Sequence, residues 1–584
     1  MIMKKILSII CLLLVSTTLW AEPIGEQRAR EIASEFFSQH ATRATAANIV
    51  LEWAGDNIGE QSATGSALNT SLMYIYNRGN NGGYVIVAGD TNVNPIIAYS
   101  LDTTLDTDNM AEATEAILEA WCRQVESARK AAKPISGTTM RATTRSNDAM
   151  LYETAIWNQG DPFNREAPTI DGGRSVTGCV ATAMSIICHY NRWPEKGVGT
   201  TPAYSYEDSY GHTHTISSNS LGREYKYDDM LMSYNNGFTT TQANAVAALM
   251  KDMGTSVKMM YHPDSSGAYD SNVIYSLMTY FGYAKDMKLV YGAGLGSEEW
   301  NSTIRENVRE YGPTYFSGSG DNGGHAFVID GFDAGDYFHF NFGWGGVGNG
   351  YFLIPKIEFY ERQAAILYLR PDKDGSSLYR DNLCIYAINS YKGIVPYQVT
   401  SYSTGTPFNC LVGGLANLGA YNFNGDIKLV LCDRDGDWKQ VLTTLSFNID
   451  PGYIAWADNY SYITITEPLE EGDRMRVYYK SYSYDEWQWA RSYDESAIDE
   501  VLVMGSPEDM ARGFYFAYDK GESKLYVGNK NAMKLNIYND ETNELIAWGE
   551  LEFNTKGKIA NMPSGRYRIE ASLGSDPYVL IVKL

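Results

Sequence analysis

Thr177-Gly178-Cys179-Val180-Ala181-Thr182-Ala183-Met184 places one cysteine between a glycine and an apolar run. Val180, Ala183, Met184 and Ile187 recur at i, i+3, i+4 and i+7, the spacing of one buried helix face. Cys179 therefore sits at or near the first turn of a helix. Unpaired backbone N–H groups and the positive dipole end at that position favour a thiolate, the nucleophilic form of the side chain.

A base and its partners stand elsewhere in the chain. Gly323-Gly324-His325-Ala326-Phe327-Val328-Ile329-Asp330-Gly331 sets a histidine at the start of an apolar strand. Tyr337-Phe338-His339-Phe340-Asn341-Phe342-Gly343-Trp344-Gly345-Gly346 reads as a second strand, paired with the first through a turn around Asp333–Asp336. Such a hairpin is expected to bring Asn341 against His325, fixing the tautomer that faces the sulfur. Upstream, Trp157-Asn158-Gln159-Gly160-Asp161-Pro162-Phe163-Asn164 supplies a glutamine. Its amide is expected to donate to a developing oxyanion beside the Cys179 N–H.

The order Gln, Cys, His, Asn is that of papain-like proteases. The four motifs together resemble the streptopain family of cysteine peptidases across roughly residues 22 to 370. That resemblance implies a secreted endopeptidase made as a zymogen, acting on proteins or peptides through a thioester, with a preference for a hydrophobic residue just upstream of the scissile one. It makes Cys179 the nucleophile, His325 the general base and acid, Gln159 the oxyanion donor and Asn341 the residue that orients the histidine. It also implies that the chain's own pro-region is an inhibitor. The family usually reads N-W-G-W where this chain has Asn341-Phe342-Gly343-Trp344. Phe342 and Trp344 are thus the expected aromatic residues that shield the histidine or line the cleft.

Rival residues fail on distance or context. Cys188 lies about 13 Å along the helix from Cys179, and His189 about 15 Å, at 1.5 Å per residue. His339 shares a strand face with Asn341 but lacks a preceding glycine loop. His212 and His214 form H-T-H, two ligands short of the set zinc takes. His262, before Pro263 and Asp264, reads as a turn. Asp433-Arg434-Asp435-Gly436-Asp437 is an incomplete calcium ligand set and reads as a charged hairpin turn. No metal or cofactor is expected.

The rest of the chain fits this organisation. A net charge of −23 argues against nucleic-acid binding, which needs a basic patch for phosphates. Lys4, Lys5 and the apolar run Ile6 to Val15 read as a signal peptide over residues 1–21, so the expected location is secreted or on a bacterial cell surface, with no transmembrane segment. Residues 22–148 read as an α+β pro-region ending in a Ser/Thr/Gly/Arg-rich linker, with activation cleavage between Lys133 and Tyr152. Within it, helices are expected around Ala29–Phe37 and Met110–Ala132, and strands at Leu72–Tyr76 and Tyr84–Val87. Residues 149–372 would be an α+β papain-like peptidase domain, with Ser317–Gly324 a mobile loop able to close over substrate.

Beyond Asp372, alternating runs such as Ile427–Cys432 and Met475–Lys480 predict a β-sandwich at 373–505, followed by a β module at 506–584 similar to bacterial sorting domains. The seven cysteines make no metal or disulfide framework, although Cys384, Cys410 and Cys432 could include a pair. A cell-wall peptide amidase, an acyl transferase and a non-catalytic adhesin are the alternative readings.

Overall fold

Whether a residue of the central strands faces one core or the other follows from strand alternation, and this parity organises the molecule. In the computed structural model, Tyr315, Ala326, Val328, Ala364 and Ile366 enter one hydrophobic core, while Phe316, Phe327, Ile329, Ala365 and Leu367 enter another. The structure describes residues 23–40, 49–79, 82–130 and 148–584, apart from short gaps at 209, 321–322, 357–359, 390, 400, 458, 484–485, 495, 512–513, 520–522, 529, 553–555, 560–561 and 575. The expected signal peptide and nearly all of the expected cleavage segment lie outside these residues.

The two cores flank one eleven-stranded sheet. Its path runs Ile49–Gly55, Met73–Arg78, Tyr84–Ala88, Ile96–Ser100, Gly350–Leu353, Tyr337–Asn341, Gly323–Phe332, Thr314–Gly320, Glu361–Leu367 and Lys288–Tyr291, with Met150–Leu151 paired to the Gly323–Phe332 strand. The first four strands belong to the pro-region. They join the peptidase strands where Tyr99 and Ala98 pair antiparallel with Tyr351 and Phe352. The pro-region is therefore not a self-contained unit beside the peptidase; it is one end of the same sheet.

Helices cover both faces. In the pro-region, α1 (Glu26–His40) buries Ala29, Ala33, Phe36 and Phe37 against Tyr74, Tyr76, Val85 and Val87. The second helix, α2 (Glu112–Lys130), buries Ala116, Ile117, Ala120 and Trp121 in the core that holds Phe327 and Ile329. On the opposite face lie α3 (Cys179–Asn191), α4 (Thr240–Ser256) and α5 (Ser271–Phe281), which share the core of Ala326 and Val328. Thr239 opens α4 with a capping box: its hydroxyl accepts from the Gln242 N–H, and the Gln242 carboxamide oxygen accepts from the Thr239 N–H. Among the described residues, no helix is long and apolar enough to cross a membrane.

The expected pro-region helices and strands are present with small boundary shifts. The expected mobile loop Ser317–Gly324 is a correction. Thr314–Gly320 and Gly323–Phe332 are paired strands through Gly320 and Gly323, leaving only residues 321–322 between them. Glycine-rich sequence signals a turn, but here small residues serve a tight approach. A Cβ at Gly318 would lie 2.2 Å from the Tyr360 ring.

Downstream, a six-stranded and a five-stranded sheet share one core with the strands after residue 510. Ile385, Leu415, Leu429 and Val477 are contiguous there with Met533, Ile537 and Ile569. Asp433–Asp437 forms the expected hairpin turn, in which the Asp435 and Asp437 N–H groups donate to Asp433 Oδ1 at 3.0 and 2.9 Å. The possible disulfide is also corrected, since Cys384, Cys410 and Cys432 are free thiols, as are Cys122, Cys179 and Cys188.

Candidate active site

Cys179 begins α3 as the sequence spacing requires. Gly178, with φ of 85°, makes the turn into the helix, and a Cβ there would lie 2.7 Å from Met259 Sδ and 2.8 Å from the Ser266 carbonyl oxygen. Only glycine meets both constraints. Thr182 steadies the turn, its N–H and hydroxyl both donating to the Gly178 carbonyl, at 3.1 and 2.9 Å. The Ala326 amide and those of the helix start lie near the sulfur and favour its charged form. Burial nevertheless dominates and raises the thiol above its ordinary value, with Asp270 adding to the rise. The thiolate expected from the helix dipole is not the favoured form in this state, because desolvation outweighs the terminal amides.

His325 is one residue from that contact and on the other side of the strand. It pairs with Gly318, so the two share a face. That face looks toward Tyr360 and α2, where a Cβ at Gly320 would lie 3.2 Å from Ala116 Cβ. The imidazole is buried, and its Nε2 has no hydrogen-bond partner among the described residues. Burial pushes its pKa down to about 4, leaving it neutral at pH 7. Cys179 and His325 are thus adjacent through the backbone of one strand, without an ion pair or hydrogen bond between them.

Asn341 ends the Tyr337–Asn341 strand opposite Val328. Its amide donates to Thr154 Oγ1 at 2.9 Å and to the Ala155 carbonyl at 3.0 Å, and its oxygen accepts from the Gly343 N–H at 3.2 Å. The hairpin forms as expected, but Asn341 is engaged with Thr154 and Ala155 rather than with His325. Thr154 in turn donates to Asp330 Oδ2, and Asp330 Oδ1 lies 2.5 Å from His339 Nδ1. Desolvation works against charge on His339, yet Asp330 prevails and raises its pKa. This buried chain from His339 through Asp330 and Thr154 to Asn341 is invisible in the sequence, because Thr154 lies 187 positions from Asn341.

The remaining site residues are placed as follows. The Gln159 carbonyl accepts from the Thr177 N–H at 3.1 Å, which sets Gln159 beside the start of α3. Phe342 is fully buried, its ring 5.1 Å from Phe327 and 5.4 Å from Phe352. Its ring belongs to the core that also holds Phe327. Trp344 is partly buried against the same core, and the adjacent Gly345 N–H donates to the Trp157 carbonyl at 2.7 Å.

Sequence reasoning missed Asp270, whose half-buried carboxylate accepts from the Tyr315 hydroxyl and, at 2.7 Å, from Ser317 Oγ. The rivals separate as expected: Tyr283 donates to Cys188 Sγ at 3.4 Å, and the His189 ring lies 4.8 Å from Trp157.

Residues 157–352 match the Peptidase C10 family, and residues 21–125 match the Spi protease inhibitor. Streptopain of Streptococcus pyogenes is 30% identical over 345 residues, covering 57% of this chain and 85% of streptopain. The thiol protease/hemagglutinin PrtT of Porphyromonas gingivalis is 30% identical over 367 residues, covering 60% of this chain. This chain spans 41% of the length of that relative. Among solved structures, a fragment of Prevotella intermedia prointerpain A covers 55% of this chain with 98% of the fragment, at 24% identity and a TM-score of 0.44. The chain belongs to the Peptidase C10 family of streptopain-like cysteine peptidases.

Proposed function

We propose that this protein is a secreted cysteine endopeptidase made as a zymogen, with Cys179 as nucleophile and His325 as general base and acid. One observation carries the reading: the Ala326 amide lies beside the Cys179 thiol, while His325, the preceding residue, projects from the face that α2 covers. Cys179 at the start of α3 abuts the strand that carries His325, and the two side chains are held apart while the pro-region stays in the sheet. Departure of α2 frees the imidazole to turn toward the sulfur. Asn341 then exchanges its present partners for the second ring nitrogen and fixes the tautomer.

In the active state, His325 takes the Cys179 proton and the thiolate forms a bond to the peptide carbonyl carbon. Gln159 and the Cys179 N–H donate to the oxyanion. The imidazolium gives its proton to the leaving amine as the C–N bond breaks. Water, deprotonated by His325, then attacks the thioester and regenerates the thiol. Trp344, in the loop after Asn341, shields the histidine or lines the substrate cleft in this reading. The domain is papain-like in this reading, and the sheets after residue 373 form β-sandwich modules that serve the peptidase at a cell surface.

A thiol-directed epoxide tests the proposal. It labels Cys179 after the pro-region is removed and not before, and the Cys179→Ala chain neither labels nor self-processes. Maturation of that variant at the wild-type rate without added protease would overturn autocatalysis. Labelling elsewhere would overturn the nucleophile.

A further inference from the structure

The two histidines of the H-T-H motif acquire in the fold the ligands that the sequence lacks beside them. Tyr204–Glu207 and Thr213–Ile216 form a hairpin. Asp208 closes its turn, its Oδ1 accepting from the Tyr210 and His212 N–H groups, each at 2.9 Å. The other oxygen, Oδ2, lies 3.2 Å from His212 Nδ1 and 3.0 Å from His214 Nε2. A second carboxylate arrives from a different hairpin, with Asp171 Oδ2 at 3.9 Å from His214 Nε2. Asp171 sits between the paired strands Thr169–Ile170 and Gly173–Arg174.

We propose that Asp171, Asp208, His212 and His214 form a zinc site outside the catalytic centre. Four-coordinate zinc with bonds of 2.0–2.2 Å has ligand atoms about 3.3–3.5 Å apart. One ligand atom each from Asp171, Asp208 and His214 already lies within 4.8 Å of the other two, and the open His212, 3.2 Å from Asp208, swings inward to complete the polyhedron. Two neutral imidazoles and two carboxylates carry a charge of −2, which a divalent cation cancels. The imidazoles select zinc over calcium or magnesium, which take oxygen ligands. Asp208 and His214 side chains are only 8% and 12% exposed, whereas Asp171 and His212 are open at 55% and 67%. The site thus has a fixed inner half and an open entry.

Its position gives the ion a consequence. The Asp171 hairpin leads through Ser175 and Val176 into Gly178 and Cys179. On the other side, the Tyr204 hydroxyl donates to the Met259 carbonyl at 2.8 Å, and Met259 abuts Gly178. Bound zinc would clamp two segments that both flank the nucleophile. This inference does not depend on the catalytic reading.

Chelator-treated Cys179→Ala zymogen, which lacks the accessible thiol, is titrated with zinc by calorimetry at pH 7.5. The expected result is one zinc per chain. Asp208→Ala and, separately, His214→Gln should lower the affinity at least thirtyfold. Cobalt in place of zinc should give the strong visible absorption of a four-coordinate site, absent in His214→Gln. Because Asp208 also closes the turn, His212→Gln serves as the variant that leaves the hairpin bonds intact, with metal-free melting matched to the parent. Zinc affinity as high as the parent's in both His212→Gln and His214→Gln, or no binding by the parent, overturns the proposal.

Discussion

Tyr99 of the pro-region lies opposite Tyr351 of the peptidase across an antiparallel strand pair, their rings stacked 5.1 Å apart. The Tyr99 hydroxyl donates to Asp333 Oδ2 at 2.7 Å, and the ring also meets Tyr337 at 5.3 Å. This seam joins the pro-region strands to the His325 sheet. Release of the inhibitor therefore costs ladder hydrogen bonds and buried aromatic area together.

Tyr99→Ala removes that ring and should weaken the seam by about 3 kcal/mol, the usual scale for truncating a buried aromatic residue. The uncleaved zymogen should then show raised peptidase activity and mature faster. Progress curves with a fluorogenic peptide, together with gel densitometry, check this. Unchanged maturation would mean that the seam does not hold latency.

Cys179→Ala and His325→Ala should each lower kcat by at least about a thousandfold in the mature enzyme, since the nucleophile and its base act as a unit. Folding should survive in both. Activity near wild type in either, with circular dichroism unchanged, would remove that residue from the mechanism.

Gly178→Ala forces a side chain into a backbone at φ of 85° and against Met259 and Ser266. A cost of about 2–4 kcal/mol is expected, on the scale of strain plus overpacking. Both melting temperature and kcat should fall, the second because Cys179 shifts with its helix start. A variant that melts lower but turns over normally would show that the close approach serves stability alone.

Acid should loosen the zymogen. His325 is held down to about 4 by burial, and His189 to about 4 by burial and then Arg192. Between pH 6.5 and 4 the unfolded chain therefore binds more protons at these two positions, so stability rises with pH through that window. The contribution is complete above about 6.5 and is lost as pH falls toward 4, on the order of 3 kcal/mol per histidine. His339 runs the other way. Its pKa is raised by Asp330, so its contribution is full below the unfolded value and fades as pH rises through the folded one. Two histidines against one leave net acid destabilisation. Urea unfolding of the Cys179→Ala zymogen at pH 7 and pH 5 measures it, and adding His325→Gln should shrink the difference by up to half.

Much of the site was legible because its signals are local. Helix periodicity after Cys179, strand alternation around His325 and the turn at Asp333–Asp336 each lie within about ten residues. The hairpin, the start of α3 and the Gly178 turn follow from them. The loop expected at Ser317–Gly324 did not follow, because glycine there makes room for Tyr360 and Ala116, which are distant in sequence. Phe342 reads from its motif as an aromatic that shields the histidine or lines the cleft, and its burial depends on Phe327 and Phe352.

The sequence by itself determined the place of Cys179 at a helix start, the histidine strand, the order of the four motifs and the segment ahead of them. Tertiary structure alone decided that the pro-region strands extend the peptidase sheet and that His325 faces α2 while Cys179 meets Ala326. It also decided that Asp171 and Asp208 join His212 and His214. Periodicity fixes which side chains alternate along an element. Which partner covers each face depends on contacts between segments far apart in the chain, and those form only when the sheet closes.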